Sequence, residues 1–380
     1  MAVLLSDKEK KIFEDAKAYG LKYIAPYAAQ WEADGVLPKA VVDHVASHGF
    51  FGVGCPESLG GRGYNYLETA LTYEGLAHGD GGFAFFVQLH NNITWDMVDF
   101  YDTSEEVRAL LPDMVAGRKL TAYALTEENA GCDPGMSVSY AKLMDDGYHI
   151  FGEKTWISNC MDADYFTVIV NNATEGGMVI LLVEKGTEGF EVVENRRRLG
   201  GNAMSCGTIR FNDAVVPVSR CMSKNGLKQA LKDINVARIF VPAIGVGMAA
   251  HALDITMERL ARRETFGQPV IKNQAIQFKL AELTAKLEAA RWLVYHAASL
   301  MDSGENIQVP AAMAKLLGPN TVWEVTTECA QLFGAAGFAY NSEISRCVNM
   351  ARTMKIMDGS TEVQQIVIGR ALAKQALKSV

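Results

Sequence analysis

Over the first 120 positions apolar residues recur at three- and four-residue spacing, the period of helices with one buried face. The run "SDKEKKIFEDAKAYGLKYIAPYAAQWEADG" has Ser6 placed for an N-cap and Gly35 placed to end it. "PKAVVDHVASHGF" repeats the pattern, "FFGVGCPESLGGRGYNY" is glycine-rich enough for an ordered turn, and "LETALTYEGLAHGD" restarts a helix. Between about 121 and 230 the period shortens. "KLTAYALTEEN", "SYAKLMDDGYHIFGEKTWIS", "YFTVIVNN", "GMVILLVEK", "FEVVEN" and "TIRFNDAVVP" are β-branched and aromatic runs parted by Gly, Asn and Asp turns, which predicts an antiparallel sheet. From about 226 four long segments regain the helical period, as in a bundle. The expected plan is α+β and multidomain: an N-terminal helical domain (1–120), a middle antiparallel β domain (121–228) and a C-terminal four-helix bundle (229–380). A sheet set between two helical layers leaves a cleft where they meet, and ligand sites favour such junctions.

A chain of 380 residues can bury a large core and suits two or three packed domains. With 49% hydrophobic and 21% charged residues it has the balance of a globular protein rather than a disordered one. A net charge of −8 argues against nucleic acid as a main partner. The dense basic run Arg196-Arg197-Arg198 is too short to change that, and reads as a solvated loop face or an isolated anion contact. The seven cysteines (55, 132, 160, 206, 221, 329, 347) show no CxxC pair and no His/Cys ligand spacing, so no metal site is expected and a reducing compartment, the cytoplasm, is. The apolar run in "MAVLLSDKEKK" is too short for a signal peptide, and no run of about 18 apolar residues predicts a membrane span.

Several common sites are missing from the sequence: no GxGxxG follows a strand, and there is no GxSxG elbow, Walker A loop or HExxH. "GVGMAA" (245–250) lies inside a helical pattern, where glycine permits close packing. The stretch "KIMDGSTEVQQIVIGRALAKQ" poses the sharper question. Asp358 stands directly before Gly359, Ser360 and Thr361 at the start of a helix, either as a cap, with Glu362 completing a capping box, or as a base aimed into a pocket.

Four stretches in order resemble the flavin-dependent acyl-CoA dehydrogenase family over essentially the whole chain: "YALTEENAGCDPGM", "GEKTWISN", "RRETFGQPVIKNQAIQFKLAEL", and "QLFGAAGFAYNSEISR" with "KIMDGSTEVQ". The resemblance implies FAD. Leu125 and Thr126 would contact the isoalloxazine edge, Trp156 would cover one flavin face, and Ser158 would stand at N5. Arg263, Phe266, Gln331 and Gly334 would reach the FAD of a neighbouring subunit, which implies a dimer at least and, by analogy, a homotetramer, and Gln274 would add a further cofactor contact. Ser360 and Glu362 would complete the cofactor contacts. Asn91, Cys132, Arg238 and Gly359 would face the acyl-CoA, and an electron-transferring flavoprotein would accept the electrons.

The reaction this implies takes a proton from beside a thioester carbonyl and delivers a hydride from the neighbouring carbon to the flavin. The resemblance makes Asp358 the base, where most relatives carry Glu. An Asp is one methylene shorter, and a displacement of about 1 Å can cost on the order of 100-fold in rate unless the substrate sits closer. Ala237, just before Arg238, removes the other position that relatives use for the base. Cys132 replaces the usual Ser, and Asn349-Met350 the usual Arg-Asp. "LHNNITWDM" (89–97) is more polar than a fatty chain favours, so a short or alicyclic acyl group, of the cyclohexane- or cyclohexenecarboxyl type, is expected. A pocket-wall acid could then serve in place of Asp358, although Asn91 carries no carboxyl. A nitroalkane-oxidase-like enzyme, an enoyl-CoA reductase and a flavin- or acyl-CoA-binding scaffold are the competing readings.

Overall fold

The computed structural model describes residues 5–378; the first four residues of the N-terminal run read above lie outside them. Helix α1 (Asp7–Tyr19) starts where the sequence places it. Ser6 Oγ accepts from the Glu9 N–H while the Glu9 carboxylate accepts from Ser6, a complete capping box. The helix then widens through a π turn at Gly20–Ile24 before α2 (Ala25–Asp34), whose first turn contains Pro26, a residue with no N–H to give. Gly35, at φ 72°, stops it. Helices α3 (Lys39–Ser47), α4 (Tyr66–Leu76), α5 (Gly81–Asp99) and α6 (Glu105–Val115) complete the first layer. α4 and α5 are buried almost all round, which is why their hydrophobic stripe is indistinct in sequence.

The middle of the chain forms β1 (Thr121–Ala124), β2 (Tyr140–Met144), β3 (Gly147–Ser158), β4 (Tyr165–Asn172), β5 (Met178–Glu184), β6 (Phe190–Asn195), β7 (Cys206–Val216) and β8 (Cys221–Ser223). They run β6-β7-β3-β2-β4-β5-β8, with β1 also on β4. The antiparallel expectation needs one correction, because β4 pairs in parallel with both β1 and β2. The chain leaves β1, builds a loop and the β2–β3 hairpin, and only then returns to β4, the long crossover a parallel pair requires. Alternation along β4 and β5 divides the sheet's two faces. Phe166, Val168, Val179 and Leu181 fill a core within the β domain, whereas Tyr165, Ile169, Ile180 and Leu182 pack with Ile93 and Met97 of α5.

The C-terminal part is α7 (Gly226–Arg262), α8 (Gln274–Asp302), α9 (Gln308–Phe333), α10 (Glu343–Met354) and α11 (Thr361–Leu377). The expected four helices are joined by a fifth, α10, a short element capped by Ser342. Among the described residues α7 is the one helix long and apolar enough to cross a membrane by length and composition, and 89% of its apolar window is buried in the bundle. Its glycines permit close packing: a Cβ on Gly247 would stand 2.0 Å from the Glu74 carbonyl of α4. A buried ion pair, Arg291 to Glu74 at 2.8 Å, ties α8 to α4 and so joins the first layer to the bundle.

Candidate active site

Asp358 lies at the end of a turn between α10 and α11, in the left-handed region at φ 51°. It does not cap α11. That cap is Ser360, whose Oγ accepts from the Val363 N–H; because Val363 is the third helical residue, Glu362 falls one position short of a capping box. Among the described residues no hydrogen bond reaches the Asp358 carboxylate or takes its backbone N–H. A non-glycine residue held at positive φ costs about 1–3 kcal/mol and persists where surroundings over-determine it. Here three side chains do so through backbone carbonyls. Lys315 Nζ of α9 donates to the carbonyls of Met354 at 2.8 Å and Gly359 at 3.2 Å, Gln364 Nε2 donates to Gly359 at 2.8 Å, and Arg238 Nε of α7 reaches the Asp358 carbonyl at 3.4 Å. Gly359, at φ 96°, is required there, since a Cβ would stand 2.6 Å from Gln364 Nε2.

The electrostatics of this turn suit a base. Burial holds the Asp358 carboxyl above its ordinary range, against the pull of Lys315 and Arg238. Burial likewise pushes the Lys315 ammonium down to about 8, with Asp358 opposing that fall. The β domain closes on the same turn: Cys132 Sγ, exposed on the 131–135 loop, lies 3.8 Å from Ser360 Oγ, and Asp358 acts electrostatically on the Tyr123 hydroxyl of β1.

At the end of β1, Leu125 is buried and Thr126 half-buried. The Thr126 carbonyl accepts from the Thr155 N–H at 2.8 Å, which joins this strand end to β3. β3 is interrupted by a register shift between Lys154 and Ile157, and within it Trp156 takes φ 59° and leaves the ladder. An indole in a sheet would ordinarily be core; this one is 53% exposed, with the Arg196 guanidinium 4.8 Å from its ring centroid. Ser158 is half-buried two residues on, opposite Cys206. An exposed aromatic face, a hydroxyl and a strand end set together fit a planar heteroaromatic cofactor, as FAD requires. The basic run stays at the surface but is tied within the chain: besides Arg196 over Trp156, Arg197 donates to the Glu32 and Ala33 carbonyls, and Arg198 to those of Gly201 and Met204.

The remaining cofactor candidates lie elsewhere. Arg263 precedes a small hairpin (β9, Glu264–Thr265; β10, Gln268–Pro269) beyond the far end of α7, and Phe266 sits in its turn, fully exposed at φ 51°. Gln274, Gln331 and Gly334 are exposed too. Arg259 stacks on Phe333 at 4.9 Å, which puts the ends of α7 and α9 together. At ~1.5 Å per residue, Arg238 and Arg263 stand about 37 Å apart along α7. Asn91 is occupied: its amide bridges the Phe50 carbonyl at 2.9 Å and the Gly52 N–H at 2.7 Å, pinning the glycine-rich turn.

Sequence reasoning missed Lys315, Gln364, Lys154 and Glu127. Lys154 is fully buried, pairs with Glu127 at 2.7 Å and donates to the Leu125 carbonyl at 3.0 Å. Glu127 also accepts from Ser137 Oγ and the Val138 N–H, and despite its burial Lys154 and these donors hold its carboxyl down at about 2. A lysine amid "FGEKTW", within an alternating strand, was the available signal.

Three family models match in order: the acyl-CoA dehydrogenase N-terminal domain over residues 6–118, the middle domain over 122–214 and the C-terminal domain over 224–373. The chain is 31% identical over 379 residues to isobutyryl-CoA dehydrogenase of Dictyostelium discoideum, covering 98% of this chain and 91% of that protein. It is 31% identical over 375 residues to benzylmalonyl-CoA dehydrogenase of Aromatoleum aromaticum, covering 97% and 99%. In three dimensions it is similar to butyryl-CoA dehydrogenase of Megasphaera elsdenii, with a TM-score of 0.93 at 32% identity over 98% of this chain and 100% of that one. The chain belongs to the acyl-CoA dehydrogenase family, FAD-dependent oxidoreductases that act on CH–CH groups.

Proposed function

We propose that this protein dehydrogenates a short or alicyclic acyl-CoA with Asp358 as the base that takes the α-proton. The observation that carries the reading is the Asp358 carboxyl, raised by burial, free of hydrogen bonds among the described residues and fixed by Lys315, Arg238 and Gln364. A carboxyl poised above its ordinary range both binds the abstracted proton better and loses less solvation on becoming neutral. Lys315 and Arg238 keep it ionised before the proton arrives. The free N–H of Asp358 is a donor for the thioester oxygen as negative charge develops there. Bound FAD supplies the hydride acceptor; Leu125, Thr126, Trp156 and Ser158 hold and orient it.

The acyl preference is supported by the named relatives, two of which act on compact isobutyryl and benzylmalonyl thioesters. Cys132, Arg238 and Gly359 surround the turn from the substrate side. The FAD candidates fall into two groups, one on the β domain and one beyond the far end of α7, about 37 Å along that helix from Arg238 beside the Asp358 turn, which favours a homotetramer in which Arg263, Phe266, Gln274, Gln331 and Gly334 serve a neighbouring copy. Ser360 and Glu362, beside Asp358, belong with the first group. An electron-transferring flavoprotein is the proposed acceptor. The test is an anaerobic flavin-bleaching titration with butyryl-, isobutyryl- and cyclohexanecarboxyl-CoA, repeated with Asp358→Asn. Bleaching that the variant loses supports the assignment; bleaching of equal rate in the variant refutes it.

A further inference from the structure

The basic run Arg196-Arg197-Arg198 has no part in the chemistry proposed above, yet its members are anchored. Arg196 follows β6, and its N–H donates to the Cys206 carbonyl at 2.8 Å, at the start of β7, where Cys206 stands opposite Ser158 of β3. Its guanidinium is fixed at two points: Nε donates to Glu194 Oε1 at 2.6 Å and Nη2 to Thr208 Oγ1 at 3.3 Å. Arg197 and Asn202 tie the same loop to the last turn of α2, through the Glu32 carbonyl and carboxylate. The guanidinium that lies 4.8 Å from the Trp156 ring centroid is therefore held there by its own partners, unlike a free surface cation.

The contacts continue inward. A hydroxyl has one proton to donate. Thr208 gives its own to Glu194 at 2.8 Å, so in its 3.1 Å contact with Thr155 the Thr155 hydroxyl is the donor. Thr155 is 4% exposed, and its N–H donates to the Thr126 carbonyl at 2.8 Å. A continuous chain thus runs from Trp156 through Arg196, Thr208 and Thr155 to Thr126, and its two ends are the segments assigned to the flavin.

Trp156 needs such a hold. The bulge takes it out of the β3–β7 ladder at φ 59° and leaves its ring 53% exposed, so the strand itself does not fix the indole. We propose that Arg196 is a positioning residue that holds the Trp156 indole in place for the flavin and, through Thr208 and Thr155, keeps it in register with Thr126. The proposal rests on the reading that sets Trp156 against the flavin. An arginine suits the task because its planar fork lies on an aromatic face while its N–H groups bond outward to Glu194 and Thr208, which the point charge of a lysine cannot do together. Glu194 offsets the charge, so the contribution is orientation.

The test strips FAD from the holoenzyme and reloads it, and measures the FAD dissociation constant and the visible circular dichroism of the bound flavin. The proteins compared are wild type, Arg196→Leu, Arg196→Lys, Trp156→Leu, the double variant Arg196→Leu/Trp156→Leu, and Arg210→Leu. Arg210 lies on the same strand as Thr208 and pairs with Glu153 and Glu191, so its loss costs an ion pair of the same sheet without uncovering Trp156. Arg196→Leu should weaken FAD binding about tenfold, within the range of a partly desolvated cation–π contact, and change the flavin dichroism, with Arg196→Lys between it and wild type. In the Trp156→Leu background Arg196→Leu should add nothing, because the two residues act as one unit. Arg210→Leu should leave both readouts at the wild-type value. Wild-type binding and dichroism in Arg196→Leu, an undiminished effect of Arg196→Leu in the Trp156→Leu background, or equal changes in Arg210→Leu overturn the positioning role. Wild-type behaviour of Trp156→Leu is a different failure: it removes the placement of Trp156 against the flavin, and the positioning role with it.

Discussion

The two ends of α7 are built by opposite rules. Around Arg238 the carbonyls of Met354, Asp358 and Gly359 that shape the Asp358 turn are matched within the chain, by Lys315, Arg238 and Gln364. Around Arg263 the candidates stand open, with Phe266 and Phe338 almost wholly exposed and Gln331 and Gly334 beside them. Single exposed apolar residues are ordinary on a protein surface, and Phe266 and Phe338 are two exposed rings on the segments that carry the polar cofactor candidates. Under the proposed function the first end is the catalytic turn and the second one half of a site completed by a neighbouring copy. The contrast teaches that burial, rather than residue type, separates groups tied inside the chain from groups left open on its surface.

The largest effect should come from the Asp358 end. Asp358→Asn removes the proton acceptor while keeping size and the left-handed backbone, and bleaching by a good acyl-CoA should slow about 1000-fold. Stopped-flow measurement of that rate gives the number. Next is Glu127→Gln, which leaves Lys154 buried without its counter-charge and should destabilise the protein by ~3–5 kcal/mol in denaturant unfolding. The same pair predicts an acid transition. Because the Glu127 carboxyl is depressed from its ordinary value of 4.5 to about 2 in the folded protein, its contribution is complete above 4.5 and is lost as pH falls towards 2. Thermal melts across that window should show stability dropping with pH, and Glu127→Gln should flatten the drop.

At the open end the effects are smaller and of another kind. Phe266→Ala removes a ring that makes little contact within its own chain, so the melting temperature of separated chains should not move. Association should weaken by about 2 kcal/mol, the transfer value of one buried aromatic side chain, read as a shift in sedimentation mass with concentration. A decrease in folding stability with unchanged association would break the contrast between the two ends. Smallest is Ser360→Ala, which removes the α11 cap and should cost about 1 kcal/mol in unfolding while leaving the three carbonyl ties in place.

What was legible in the sequence follows the same division. The Ser6 cap, Gly35 and the change of period near 121 specify local structure with local chemistry, and they stand as read. Trp156 was legible as a motif residue, but its left-handed backbone and exposed ring depend on a bulge opposite β7, a long-range feature with no local mark. The parallel pairing of β4 depends on chain order in space, which strand periodicity does not encode. Lys315 was hidden because a lysine on an apolar helix reads as a surface cation, and only tertiary packing brings Gly359 to it. Asn91 and Asn92 sat inside a stretch already noted as polar, yet sequence gives no sign of which amide is tied and which is free. Asn91 proved to be the tied one.

The most direct test of the account is exchange of the α-proton of a bound acyl-CoA with deuterated water under anaerobic conditions, because it follows proton abstraction apart from electron transfer. With Asp358 as the base, its carboxyl raised by burial, wild-type exchange should be strong, fall as pH drops through the raised pKa, and vanish in Asp358→Asn. Exchange that persists in the variant at the wild-type rate would contradict the assignment and place the base on another element of the site.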